Sequence, residues 1–313
     1  MAEEGGAWRI EMGAGAVELR RAAFGDRPEV EVWGALRGGV EERWLAAVVL
    51  GGQGHYAAAA SVLGELIVGG GLFGSLAAST LASHRRQLGG HAAARVLDGR
   101  ALAMAPAGGG GDEDDVDAAG ARADALLGLA ADAIGAGRLT EARRLHARVE
   151  PHGWRSRVRH QWLAAEIALA GGHAEHAVPP AEVAAATARE ANGTRHILKS
   201  DLVLGVALVV WGTPESVGRG LNLLQCDLNH TDRRRLFSLI WPTALVLANA
   251  QADRTIADSS NVKESAKNAL SCVLRRADPL GRRLAAHSPW VPTALLRSGE
   301  PPNADAQMNF LTD

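Results

Sequence analysis

The sequence predicts an all-α protein: a right-handed superhelical solenoid of antiparallel helical hairpins. The first observation is a recurring pattern, in which a glycine closes an Ala-rich apolar segment, with alanine seven residues before it and five after it. The second is composition, because 47% hydrophobic but only 4% aromatic residues favour close-packed helices over a β-sandwich. The copies are Ala47/Gly54/Ala59, Ala82/Gly89/Ala94, Ala130/Gly137/Ala142 and Ala165/Gly172/Ala177, with a looser fifth at Gly205/Gly212/Val217.

Residues 1–40 are predicted to form an N-terminal cap. Glycines and Pro28 interrupt the apolar positions there, so we expect one or two short helices and a brief extended piece at Val30 to Trp33. Atypical ends are typical of repeat arrays, because an open hairpin face would expose apolar surface.

Residues 41–191 carry the clearest helical pattern and predict four hairpins. Their joints are rich in glycine, as expected where a helix ends in a left-handed residue. Pro179 and Pro180 interrupt the last of these helices, which indicates a late start. The expected helices are 41–52, 57–68, 75–88, 91–105, 119–135, 140–149, 157–170 and 174–190.

A low-complexity segment, Pro106 to Asp117, explains the one long step between the repeats. Its glycines favour flexibility and its acidic residues favour solvation, so we expect a mobile surface loop. The carboxylates lack the alternation and the glycine turn of a helix–loop–helix calcium site, so no calcium is expected.

Residues 192–297 are predicted to continue the stack as C-terminal hairpins, and 298–313 to form a disordered tail. Thr213 before Pro214 is a helix start, since the hydroxyl can cap the free N–H groups and proline suits the first helical position. All asparagines and lysines lie at or beyond residue 192, which fits either drift in composition or a partner-facing region. The expected helices are 195–211, 214–228, 232–250, 261–276 and 279–287.

Residues 41 to about 228 resemble the tetratricopeptide family. The hairpin of that family has a small residue within its first helix, a glycine at the turn and an alanine early in its second helix, as at Ala47, Gly54 and Ala59. Tyr56 follows the turn glycine by two residues, and Pro106 stands where a repeat of the family ends. The resemblance implies stacked hairpins whose first helices line a concave groove that holds an extended peptide.

Applied to this chain, the resemblance implies a non-catalytic interaction or scaffold module that binds a partner peptide with acidic and apolar anchors. Tryptophans in helices are also common core residues. The hypothesis of a peptide groove therefore requires that Trp44, Trp162 and Arg159 be exposed in one concavity, and their burial would count against this hypothesis. The implied groove residues are Trp44, Ser83, Arg86, Arg159, Trp162, Glu166 and Lys199.

Two other functions remain open. The chain between Arg138 and His160 is a dense basic patch. As the alternative function, it predicts a regulatory helical domain that binds nucleic acid or a phosphorylated partner. This alternative requires that the guanidinium groups of the patch share one face. The net charge of −2 argues against nucleic acid. Self-association is the other possibility, with Phe310 and Leu311 of the tail docked in a neighbouring copy.

The chain contains no signature of catalysis, and we expect no enzyme, cofactor or metal. An active site assembled between helices would nevertheless leave no linear motif. His173 and His176 have metal-like spacing but follow two glycines, so they are interpreted as polar turn residues. Cys226 and Cys272 are expected to be free buried thiols, and no apolar stretch reaches the length of a membrane span, which together predict a cytoplasmic protein.

Overall fold

A computed structural model describes residues 15–253 and 259–296, and within these ranges the chain is helical without strands. The predicted tail at 298–313, including Phe310 and Leu311, lies outside the described residues, as does the start of the N-terminal cap. The helices are α1 Ala16–Ala23, α2 Val40–Gly52, α3 Tyr56–Gly69, α4 Gly71–Gln87, α5 His91–Met104, α6 Ala118–Gly135, α7 Leu139–His146, α8 Trp154–Ala170, α9 Ala174–Glu190, α10 Thr194–Trp211, α11 Pro214–Arg233, α12 Phe237–Ala252, α13 Ser260–Arg275 and α14 Pro279–His287.

The turn glycines of the repeat adopt the left-handed conformation that the sequence pattern predicts. Their φ angles lie between 71° and 82°, a region that costs other residues energy and that ends the first helix of each hairpin. The five residues are Gly54, Gly89, Gly137, Gly172 and Gly212.

The alanines of the repeat mark the places where helices cross. All eight are completely buried, with 0% exposure. In the looser fifth copy, a Cβ atom on Gly205 would lie only 2.7 Å from Cγ of Leu224 on the next helix, so the position requires glycine. The eight are Ala47, Ala59, Ala82, Ala94, Ala130, Ala142, Ala165 and Ala177.

The even-numbered helices α2 to α12 form the inner wall, and the odd-numbered helices α3 to α13 lie outside them. Each inner helix contacts the next inner helix, whereas each outer helix packs chiefly on the inner helices adjacent in the chain. Residues 192–253 and 259–296 continue this packing, because α10 packs on α8 and α9, and α12 packs on α10 and α11.

The sixth hairpin lies against the first, so the stack completes one turn. Helix α12 contacts α2. The hydroxyl of Ser238, at the start of α12, donates to the carbonyl of Gly52, at the end of α2, over 2.8 Å. The amide of Ala57, at the start of α3, donates to the carbonyl of Arg276, just after α13, over 2.8 Å. The inner helices therefore surround a central space.

The acidic segment from Pro106 to Asp117 is held by its own carboxylates, which differs from the mobile, solvated loop expected from sequence. Asp115, which is 2% exposed, accepts hydrogen bonds from the amides of Gly153 and Ser156, each over 2.7 Å, and so caps the start of α8. Asp117 caps α6 by accepting from the amide of Gly120 over 2.8 Å. These carboxylates therefore join two inner helices to the loop.

Helix starts differ from the sequence prediction in instructive ways. Helix α9 begins at Ala174 and contains Pro179 and Pro180, so the late start was wrong. The fully buried Ala177, Ala181 and Ala184 show why the helix tolerates the lost backbone hydrogen bonds: its packed face continues through the prolines. The helix start at Thr213 is confirmed, because its hydroxyl accepts from the amide of Ser216 over 3.2 Å.

Three smaller expectations are settled by the fold. Within the predicted extended piece at Val30 to Trp33, Glu31 forms an isolated β-bridge, and a short 3-10 helix, Trp33–Arg37, begins at its last residue. Both cysteines are free, but only Cys272 is buried, whereas Cys226 is exposed. Within the described ranges, no helix combines the length and the apolar character that crossing a bilayer requires.

Candidate functional site

A central pocket lies between the inner helices. The space open to the centres of water-sized spheres is about 60 Å³, enough for about four water positions, so the pocket admits a small group or a narrow chain. All six inner helices contribute to its wall, which consists of Phe24, Trp44, Val48, Ser79, Thr80, Ser83, His84, Gln87, Asp124, Arg155, Arg159, Trp162, Arg195, His196, Lys199, Ser238 and Leu239.

Five of the seven residues predicted for the groove line this pocket. They are Trp44, Ser83, Arg159, Trp162 and Lys199, which come from four different helices. The repeat register therefore brings together residues that are more than 150 positions apart in the chain.

Arg86 and Glu166, the other two, are buried outside the central pocket. Both line a cavity of about 10 Å³ that shares Arg159 with the central pocket. The Arg86 guanidinium lies 3.0 Å from a carboxylate oxygen of Asp98 and 2.6 Å from one of Asp132, and all three side chains are at most 1% exposed. Arg86 thus holds α4 against α5 and α6, and the prediction that it lies on an open groove surface was wrong.

The two tryptophans form the wall of the pocket and are not exposed contact residues. Trp44 is 1% exposed and Trp162 is 5% exposed. Each indole N–H donates to a neighbouring hydroxyl, from Trp44 to Thr80 over 3.0 Å and from Trp162 to Ser200 over 2.8 Å. They share one concavity with Arg159 but fail the exposure condition, which argues against an extended peptide anchored on them.

Two arginines one turn apart on α8 hold a single carboxylate of α6. Arg155 Nη2 and Arg159 Nη1 each lie 2.9 Å from a different oxygen of Asp124. Arg155 is fixed further by the Phe24 ring, 4.3 Å from its guanidinium carbon, and by the carbonyl of Asp114, 2.7 Å away. Fixed guanidinium groups need little ordering when they bind a ligand.

Positive charge predominates in the pocket. Its lining contains four basic side chains, Arg155, Arg159, Arg195 and Lys199, against one carboxylate, Asp124. The Lys199 ammonium lies 5.8 Å from the centroid of the Trp162 ring. Leaving the histidines aside, the net charge of the lining is therefore +3, in surroundings where burial strengthens electrostatic interactions.

His196 is enclosed by aromatic rings and carries no charge at neutral pH. Burial lowers its pKa well below the ordinary value, and the nearby Arg195, Arg155 and Arg159 lower it further. Its ring stacks on Trp162, with centroids 5.6 Å apart, and meets the edge of Trp154 at 4.7 Å.

The basic patch from Arg138 to His160 does not share one face. Arg155 and Arg159 point into the central pocket, whereas Arg143, Arg144, Arg148 and Arg157 are exposed outside it. His146 and His160 stack with centroids 3.8 Å apart. Burial lowers the pKa of both rings, that of His160 to about 4, so this histidine pair adds no charge at neutral pH.

Sequence reasoning missed several lining residues, notably Asp124, Arg195 and His196. Arg195 and His196 lie in the first turn of α10, directly before the predicted Lys199. The sequence signal was available, because residue 195 lies one helical turn before 199 and therefore on the same face.

One cluster of potential metal ligands occurs in the part of the chain that the structure describes. His173, Glu175 and His176 offer ligand atoms within 4.8 Å of one another at the start of α9, and all three side chains are exposed. This geometry is compatible with the interpretation of the two histidines as polar turn residues.

No protein-family model matches this chain, and no curated protein matches its sequence.

Proposed function

We propose that this protein is a non-catalytic interaction module that binds an anionic group of a partner segment in its central pocket. The observation that carries the proposal is the excess of four cations over one carboxylate in the pocket lining. We also propose that the fold is a right-handed, tetratricopeptide-like solenoid that acts as a scaffold. Its support is the repeat of left-handed glycines and fully buried alanines.

The geometry favours one inserted group over a long bound peptide. Both tryptophans form part of the pocket wall, so neither indole ring is exposed to anchor an extended peptide. Ionic groups in a partly buried, pre-positioned pocket form stronger hydrogen bonds than the same groups at an open surface. A side chain or a chain end that carries negative charge therefore suits this site.

The experiment is a peptide array, probed with the full chain, in which ten-residue peptides differ only in their number of acidic residues. Wild-type binding should rise with acidity, and Arg159→Gln should weaken it about tenfold, the loss expected for one charge-assisted hydrogen bond. Arg157→Gln is the matched control, because Arg157 lies on the same helix but is exposed outside the pocket.

Failure of the wild type to discriminate acidic from neutral peptides would overturn the proposal. Equal losses in both variants would shift the function to the exposed arginines of the Arg138–His160 patch, the alternative in which nucleic acid or a phosphorylated partner binds there. That alternative predicts binding that falls steeply with salt.

A further inference from the structure

Buried polar atoms without hydrogen-bond partners among the described residues occur in the pocket wall. They include Nδ1 of His196 on α10 and Oγ of Ser79 on α4, in side chains that are 2% and 4% exposed. A buried polar atom without a partner costs about 1–3 kcal/mol, so such atoms mark a place for water or a ligand. Both residues line the central pocket, together with the four cations.

The charge of the lining distinguishes between classes of anion. A carboxylate carries one negative charge on two coplanar oxygens and would leave a net charge of +2. A phosphate monoester carries a charge of about −2 at neutral pH and offers three strong acceptor oxygens in a pyramid. The phosphate monoester would neutralise more of the positive charge of the pocket, and its oxygens can accept hydrogen bonds from donors on several sides.

The size and the distribution of donors agree with this distinction. The pocket holds about four water positions, and a phosphate monoester has four oxygens, three of them terminal acceptors. Potential donors come from α4, α8 and α10, which lie at different positions around the inner wall. Both oxygens of Asp124 are occupied by guanidinium groups, so this carboxylate serves to orient them.

We infer that the group taken into the central pocket is a phosphate monoester dianion. This inference rests on the proposed function and specifies its ligand. Two sources share the chemistry: a phosphorylated side chain of a partner segment, and a small free phosphate ester. Arg155, Arg159, Arg195 and Lys199 supply the charge, and Ser79 and His196 supply neutral polar atoms.

The test is calorimetric titration of the full chain with a phosphoserine peptide, the same peptide with glutamate instead, and free O-phosphoserine. We expect the phosphoserine peptide to bind at least about tenfold more tightly than the glutamate peptide. Lys199→Met and Ser79→Ala should each weaken phosphopeptide binding several-fold or more, whereas Arg157→Gln should leave it unchanged. Circular dichroism checks that each variant is folded.

A second readout requires no variant. A bound dianion near His196 should raise the pKa of its imidazole, which a pH series of histidine ¹⁵N spectra measures with and without the phosphopeptide. This change locates the ligand in the pocket even if a substituted chain does not fold.

Each outcome of the titrations has a distinct meaning. Equal binding of the glutamate and phosphoserine peptides overturns the phosphate inference but leaves the proposed function standing. Absence of binding to either peptide overturns both. Free O-phosphoserine that binds as tightly as the peptide supports the inference and assigns the site to a small phosphate ester.

Discussion

Asp124→Asn is the most informative single change in the pocket, because it should have opposite effects on stability and on anion binding. The substitution keeps the shape of the side chain but removes the charge that holds Arg155 and Arg159, each 2.9 Å away. An amide oxygen can accept from one guanidinium, while the amide N–H₂ group faces the other.

The loss of stability follows from burial. Removing one partner of a buried ion pair costs about 3–5 kcal/mol, and we expect the lower end because the Arg159 side chain is 16% exposed. For a chain of 313 residues, about 1 kcal/mol shifts the thermal midpoint by roughly 1.5 °C, so the midpoint should fall by about 5 °C.

The gain in binding follows from charge. At an effective dielectric constant of about 20 and a separation of about 6 Å, one unit of charge contributes up to ~2.8 kcal/mol per ligand charge. Relaxation of the freed guanidinium groups reduces this figure, so we expect phosphopeptide binding to tighten about tenfold.

The assay combines thermal unfolding, followed by circular dichroism, with the phosphopeptide titration. Glu113→Gln is the control, because it removes the same charge from an exposed side chain of the acidic segment and should alter neither quantity. An unchanged midpoint, or weaker binding by a folded Asp124→Asn protein, would refute the reasoning from charge.

Two further predictions concern stability. Asp227→Asn should stabilise the protein at pH 7, because burial raises the pKa of this carboxyl well above its ordinary value. The stability of the wild type should therefore fall as the pH rises from about 4 to that raised pKa, and the variant should not show this fall. Urea titrations at several pH values measure the difference, and parallel pH profiles of the two proteins would contradict the assignment. Gly120→Ala should destabilise the protein despite the better helix propensity of alanine, since its Cβ would lie 2.0 Å from the carbonyl oxygen of Asp115. Gly64→Ala, whose Cβ would have no atom within 4 Å, should instead stabilise the protein by up to about 1 kcal/mol. Thermal unfolding measures both changes, and equal shifts of the midpoint would count against the contact at Gly120.

The sequence by itself determined that the chain is helical and where the repeated hairpins turn. Glycine at the end of an apolar helical pattern predicts a left-handed turn, and Gly54, Gly89 and their equivalents all have it. Alanine at a fixed distance from that turn predicts a close crossing of helices, and all eight such alanines are fully buried. These sequence signals are local, because a residue within about ten positions of a turn affects the geometry of that one hairpin alone.

Only the tertiary structure decided which charged and aromatic groups face the central space and which are held within the wall. Arg86 and Arg159 belong to the same predicted register, yet the first is enclosed by Asp98 and Asp132, while the second reaches the pocket. The difference depends on carboxylates from neighbouring helices, whose positions no local pattern contains. The contact of Ser238 with Gly52 has the same origin, because the turn of the whole stack is the accumulated result of all the hairpin crossings.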